Sequence, residues 1–146
     1  MVILKKILDF YINSSLHVAL SAFALVSMTQ YFFGVEEDFS VAFFAFFGTV
    51  IGYNFVKYDA IARLNKTEIK KELKVIVFLS FISLLACFYF FLQLSWMSKV
   101  SAFAFFGLTL LYTLPFFPNK QNARNWKGVK IYIVGITWVG VTVILP

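Results

Sequence analysis

Five long apolar runs, separated by short polar or charged stretches, dominate this chain. They lie at 16–33, 39–56, 75–94, 100–117 and 129–145, and none carries an acidic or basic residue near its middle. The hydrocarbon core of a bilayer requires about 20 mostly apolar residues for each helix that crosses it. We therefore predict that each run is a membrane-spanning helix and that the fold class is all-α, a multi-pass transmembrane bundle.

The composition excludes an ordinary soluble domain. Hydrophobic residues make up 61% of the 146 residues and charged residues 14%, whereas soluble domains average roughly 45–50% and about 25%. A soluble fold of this size exposes too much surface to hide so much apolar area. The runs do not alternate as the strands of a membrane β-barrel do, and the single cysteine, Cys87, cannot form an internal disulfide. We interpret residues 1–146 as a single transmembrane domain.

The basic residues are distributed unevenly among the connections. With five spans, every lysine and arginine except Lys99 falls on one side, in the N-terminal segment or in the loops after the second and fourth spans. Basic loops stay in the cytoplasm, so we predict an inner (plasma) membrane protein with a cytoplasmic N-terminus and an outside C-terminus. This rule and anionic headgroups account for the net charge of +6, so the expected partner is the lipid bilayer and not a nucleic acid.

The segment before the first span is amphipathic. In a helix over residues 3–11, Leu4, Ile7, Leu8 and Tyr11 share one face while the charged residues lie elsewhere. This pattern is typical of a helix that lies in the membrane interface. We predict such a helix leading into the first span.

Polar residues at the start of the first span form one candidate site. Asn13, His17 and Ser21 follow each other at four-residue spacing and share one helix face. Polar groups in a span are costly and tend to face a bundle interior or a cavity. They either form the polar wall of a cytoplasm-facing cavity or hold helices together.

The cytoplasmic end of the second span is another candidate. There Asn54 and Asp59 could hold a divalent cation while Lys57 or Arg63 binds a phosphate, because magnesium takes oxygen ligands and shares them with substrate phosphates. The competing interpretation is a helix end with a surface ion pair between Asp59 and Arg63.

The loop before the fifth span is the third candidate. Residues 115–130 combine two prolines with Lys120, Arg124, Lys127 and Lys130. Arginine and lysine side chains that converge near a helix entrance can bind a diphosphate. The preference of cytoplasmic loops for basic residues explains them equally well.

These last two candidates carry a resemblance to a known family. Gly52-Tyr53-Asn54…Asp59…Arg63 resembles a divergent first Asp-rich motif of the UbiA-type membrane prenyltransferases. Their later stretch, where a tyrosine–proline helix end leads through a basic loop into a helix with a tryptophan, is similar to three segments here: Leu111–Pro115, Arg124–Lys130 and Ile136–Trp138. The resemblance covers most of this chain, but only the N-terminal half or so of a typical member.

The resemblance implies a helical bundle of about nine helices that transfers an isoprenoid from a prenyl diphosphate to a lipid-soluble acceptor with magnesium. Asn54 and Asp59 would be the metal-side residues, and Arg63, Arg124 and Lys130 would bind the anion. Asn13 and His17 would line the cavity. No catalytic residue is assigned.

The sequence also departs from the family pattern N-D-x-x-D-x-x-x-D. With Asn54 aligned, Phe55, Tyr58 and Ala62 stand where the three aspartates belong, and Asp59 is one residue out of register. The second Asp-rich motif has no counterpart. We therefore expect an incomplete site, in a truncated or split member or one that self-associates. The alternative function is a non-enzymatic membrane scaffold or assembly subunit. A transporter would need ionisable residues near the midplane, and the last four spans have none.

Overall fold

The structure, a computed structural model, is helical throughout its regular segments. It describes residues 2–35, 38–64, 71–113 and 128–146, without the side chains of residues 2, 59–64, 71–72, 112–113 and 129–130. The elements in these ranges are α1 (Val2–Asn13), α2 (Leu16–Phe33), α3 (Phe39–Leu64), α4 (Lys71–Gln93), α5 (Trp96–Thr113), α6 (Val129–Val139) and a π-helical turn (Gly140–Ile144) that continues α6. The predicted all-α class is confirmed.

Three of the described helices are long and apolar enough to cross a membrane. They are Leu16–Phe33, Phe39–Tyr58 and Leu73–Gln93, and they coincide with the first three predicted spans. Trp96–Leu111 and Ile131–Ile144 are shorter apolar helices. The predicted fourth span runs into residues 114–127, which lie outside the described residues, so five spans stay a prediction.

Three hydrogen bonds join the ends of different helices. They show that α2 and α3, α3 and α4, and α5 and α6 run antiparallel. Near the end of α2, Gln30 donates to the carbonyl of Asp38, just before α3. Ser40 in the first turn of α3 bonds to Gln93 at the end of α4. Ser98 near the start of α5 donates to the carbonyl of Leu145, beyond α6 and the π-helical turn. We call the end of the bundle where these residues meet the turn end.

The buried apolar core lies near the turn end, and three of its seven residues are alanines. Its members are Val26, Val41, Ala42, Ala45, Leu94, Ala102 and Leu145. Small side chains let helices approach closely when lipid supplies no hydrophobic driving force between them. Aromatic rings extend the contact between α3 and α4, where Phe90 stacks on Phe43 and Phe47 with ring centroids 5.2 and 6.0 Å apart.

Local sequence determines how α2 ends and α3 begins. Gly34 adopts a left-handed conformation with φ of 63°, which glycine tolerates without a steric penalty. The amides of Gly34 and Val35 then bond to the carbonyls of Tyr31 and Gln30, a Schellman ending. A carboxylate oxygen of Asp38 accepts the amide of Ser40 at 2.8 Å and so caps the start of α3.

The corner between α1 and α2 has a different origin. Ser15 is the only described residue besides glycine with positive φ, at 60°, a conformation that costs a serine free energy. The buried hydroxyl of Ser14 donates to the carbonyl of Phe10 at 2.7 Å. These two serines separate α1 from α2 and position the end of α1 beside α3.

Candidate functional site

Two side chains of α3 hold the last residue of α1. The Tyr58 hydroxyl donates to the Asn13 carbonyl at 2.9 Å. The Lys57 ammonium donates to the same carbonyl at 3.3 Å and to the Asn13 side-chain oxygen at 3.4 Å. Carbonyls at the C-terminal end of a helix lack partners within it, and the negative end of the helix dipole attracts a cation. We call Asn13, Lys57 and Tyr58 the clamp, and their end of the bundle the clamp end.

Asn54 lies one helical turn before the clamp on α3. Its side chain is 3% exposed, and its amide nitrogen donates to the Ser80 hydroxyl of α4 at 3.0 Å. Ser80 in turn donates to the carbonyl of Ile76 at 2.9 Å. This chain of hydrogen bonds connects α3 to α4.

Within the described residues, no donor faces the amide oxygen of Asn54. The atom is shielded from solvent and has no hydrogen-bond partner among the described residues. Leaving such an acceptor unsatisfied costs about 1–3 kcal/mol. Its capacity to accept a hydrogen bond is therefore unused within the described part of the chain.

His17 presents a second unsatisfied atom at the start of α2. Its Nδ1 is buried and, within the described part of the chain, has no hydrogen-bond partner. The ring lies 5.8 Å from that of Tyr11, centroid to centroid. The His17 carbonyl accepts the Ser21 hydroxyl at 3.0 Å, so Ser21 is bonded within its own helix.

Some of the predicted site residues lie in contact in the structure, and others lie outside the described residues. It attaches Asn13 to the second candidate site through Lys57, and it directs the amide nitrogen of Asn54 to α4. The side chains of Asp59, Arg63 and Lys130 lie outside the described residues, although their backbones lie in α3 and α6. Arg124 lies wholly outside.

The predicted magnesium site has one described oxygen ligand candidate, Asn54. Among the described residues there is no group of three His, Cys, Asp or Glu side chains that could hold a metal ion. A magnesium ion usually binds through one or two carboxylates together with substrate phosphates and waters. The roles predicted for Asp59 and the basic residues therefore stay predictions.

Sequence reasoning missed Ser80 and the bonds of the clamp to Asn13. Ser80 is an isolated hydroxyl within an apolar span, and such a group is expected to find a polar partner on a neighbouring helix. That signal was present in the sequence. The partner depends on how α4 is rotated and shifted against α3, which the apolar pattern leaves open.

No protein-family model, curated protein or solved structure matches this chain. The functional interpretation therefore rests on the residues and their geometry, and membership of the UbiA-type superfamily stays a prediction.

Proposed function

We propose that this chain is an integral membrane protein that binds the diphosphate of a prenyl donor at the clamp end. Within a bundle of the UbiA type, the reaction would be transfer of the isoprenoid to a lipid-soluble acceptor. The observation that carries the proposal is the Asn54 amide oxygen, which is buried and has no partner among the described residues. It occupies the position where the resemblance places a metal-side residue.

The chemistry of the clamp end supports binding of an anion beside a cation. The Asn54 oxygen is a hard ligand of the type that magnesium prefers, and Asp59 is predicted to add a carboxylate. Bound magnesium would neutralise the negative charge of the diphosphate. Lys57 is exposed and supplies an ammonium group that can donate to a phosphate oxygen while it stays near Asn13.

The proposed reaction balances without an additional reactant. The bond between the first isoprenoid carbon and the diphosphate oxygen breaks, and the diphosphate leaves with the electron pair. The acceptor forms a new bond to that carbon and then releases a proton. At the clamp end, the role of the described residues is to bind and orient the diphosphate at the membrane surface.

The proposal is tested by direct binding to the full chain in nanodiscs. Geranylgeranyl diphosphate is titrated calorimetrically with magnesium and again with EDTA. Saturable binding that requires magnesium is the expected result, and geranylgeraniol, which lacks the diphosphate, serves as the control. If no prenyl diphosphate of any chain length binds in a magnesium-dependent manner, the proposal is wrong.

A second candidate function is a non-enzymatic scaffold or assembly subunit. It is favoured by the use of polar groups in helix contacts, since Asn13 bonds to α3 and Asn54 bonds to Ser80 of α4. Polar side chains commonly hold membrane helices together in this way. This function predicts that no prenyl diphosphate binds. Loss of such binding in Asp59→Ala, at unchanged expression, would contradict it.

A further inference from the structure

One side of α1 is apolar and remains exposed in the folded chain. At 100° per residue, Lys5, Lys6, Asp9 and Asn13 fall within one third of the helix circumference. The large apolar residues occupy the remainder, and all of the following are exposed: Ile3, Leu4, Ile7, Leu8, Phe10 and Ile12. Ile3 and Leu4 are 75% and 72% exposed, so the protein itself does not cover this side.

The position of α1 in the bundle brings it to the membrane surface. The corner at Ser14 and Ser15 separates it from α2, which is one of the candidate membrane spans. The clamp fixes its last residue to Lys57 and Tyr58, where the candidate span within α3 ends. Because the first span begins and the second span ends beside Asn13, the C-terminal end of α1 lies where the bilayer meets water, and α1 does not prolong the first span.

We propose that α1 lies in the interface of the cytoplasmic leaflet and binds anionic phospholipid headgroups. Its apolar side enters the boundary between headgroups and acyl chains, continuous with the lipid around α2. Lys5 and Lys6 are exposed and meet the phosphates. A helix with one broad apolar side and lysines on its polar side lies in this plane, because that orientation satisfies both sides at once. The inference goes beyond the proposed function and does not depend on it.

The charge of α1 specifies which lipid it prefers. Two lysines outweigh the single carboxylate of Asp9. A lysine near an anionic membrane surface contributes about a fivefold factor in affinity. Zwitterionic phosphatidylcholine offers no such gain, so we expect α1 to dock more firmly when phosphatidylglycerol is present.

Spin labels measure the orientation of α1 in the full chain. Cys87 is the only cysteine, so Cys87→Ala provides a background in which Ile7→Cys and Asp9→Cys are labelled one at a time. Collision with oxygen reports lipid and collision with a water-soluble nickel chelate reports water. Both are measured in nanodiscs of phosphatidylcholine alone and with about one third phosphatidylglycerol, for these variants and again with Lys5→Gln/Lys6→Gln added. Lys99→Gln, which removes a lysine bonded to the α4 carbonyl of Leu92, is the matched control.

The expected result is an oxygen-rich environment at position 7 and a nickel-accessible one at position 9, with a contrast that grows when phosphatidylglycerol is added. Lys5→Gln/Lys6→Gln should remove that growth, and Lys99→Gln should leave it intact. Equal accessibility at the two positions would overturn the interfacial placement. A contrast that is the same in both lipids, or is unchanged by Lys5→Gln/Lys6→Gln, would overturn the assignment to anionic lipid.

Discussion

The two ends of the bundle use polar residues differently. At both ends, polar side chains bond to backbone carbonyls of neighbouring segments: Gln30 to Asp38, Ser98 to Leu145 and Lys99 to Leu92 at the turn end, and Lys57 and Tyr58 to Asn13 at the clamp end. At the clamp end, Asn54 and His17 each bury an atom that has no partner among the described residues. The hydrogen bonds at the turn end therefore serve to hold helices together. At the clamp end, two buried polar atoms are left without a partner among the described residues.

The packing around two helical glycines, Gly140 and Gly52, also differs. The buried apolar core lies near the turn end, and the ring of Phe105 lies directly against Gly140, so that it would have to shift to admit a Cβ atom there. At Gly52, one turn before the clamp, there is open space around the position of a Cβ atom. Tight packing with satisfied polar groups is typical of a structural region.

The largest loss of stability is expected from Gly140→Ala. The added methyl group meets the Phe105 ring, and overpacking of this kind costs about 1–3 kcal/mol. The free energy of unfolding by SDS in mixed micelles measures the loss. Gly52→Ala is the matched control, because its methyl group meets nothing within 4 Å and alanine favours a helix by up to about 1 kcal/mol. Equal losses of unfolding free energy at the two glycines would contradict the difference in packing between Gly140 and Gly52.

Ser98→Ala is expected to have the next largest effect. The substitution removes the bond at 3.1 Å to the Leu145 carbonyl and the contact with Ser95, which together are worth about 1 kcal/mol. The same SDS titration applies, with Ser21→Ala as control, since the Ser21 hydroxyl is exposed and bonds only within α2. A loss as small as that of Ser21→Ala would show that the end of the chain is not fastened to α5.

Lys57→Met is expected to have the smallest effect on stability. It keeps an unbranched apolar side chain and removes the ammonium from the negative end of α1, an interaction worth about 0.3–1 kcal/mol. Hydrogen exchange of the last turn of α1 should become roughly two- to fivefold faster. Lys74→Met, at another exposed lysine near the clamp end, should leave that exchange unchanged. If both variants exchange like the unmodified protein, the clamp does not restrain α1.

The apolar pattern predicted the first three helices well, because runs of about 20 apolar residues favour a helix that is long enough to cross a bilayer. The structure extends two of them beyond the predicted spans, α3 to Leu64 and α4 back to Lys71. A helix does not end at the membrane surface merely because its residues become charged. The predicted end of the first span at residue 33 also agrees with the structure, since Gly34 adopts the left-handed conformation that stops α2.

The site was harder to predict than the helices. The pair formed by Asn54 and Ser80 depends on the register of α3 against α4, and a uniformly apolar surface does not encode a register. The sequence also does not predict the corner at Ser15, because a serine seldom adopts positive φ. The clamp combines both difficulties, since that corner brings Asn13 to Lys57 from 44 residues away.

The most direct test of the central claim compares two substitutions in the same hydrogen bond. Asn54→Leu removes the buried side-chain oxygen that has no partner among the described residues, together with the bond to Ser80, whereas Ser80→Ala removes the bond and keeps the oxygen. Binding of geranylgeranyl diphosphate with magnesium, measured calorimetrically in nanodiscs, should weaken at least about tenfold in Asn54→Leu and less than about threefold in Ser80→Ala. Asn54→Leu should stay folded, because the substitution also removes a buried acceptor whose lack of a partner costs the native protein stability. If Asn54→Leu binds the diphosphate as tightly as the unmodified protein, or if Ser80→Ala loses as much affinity, the clamp end is not the site that we propose.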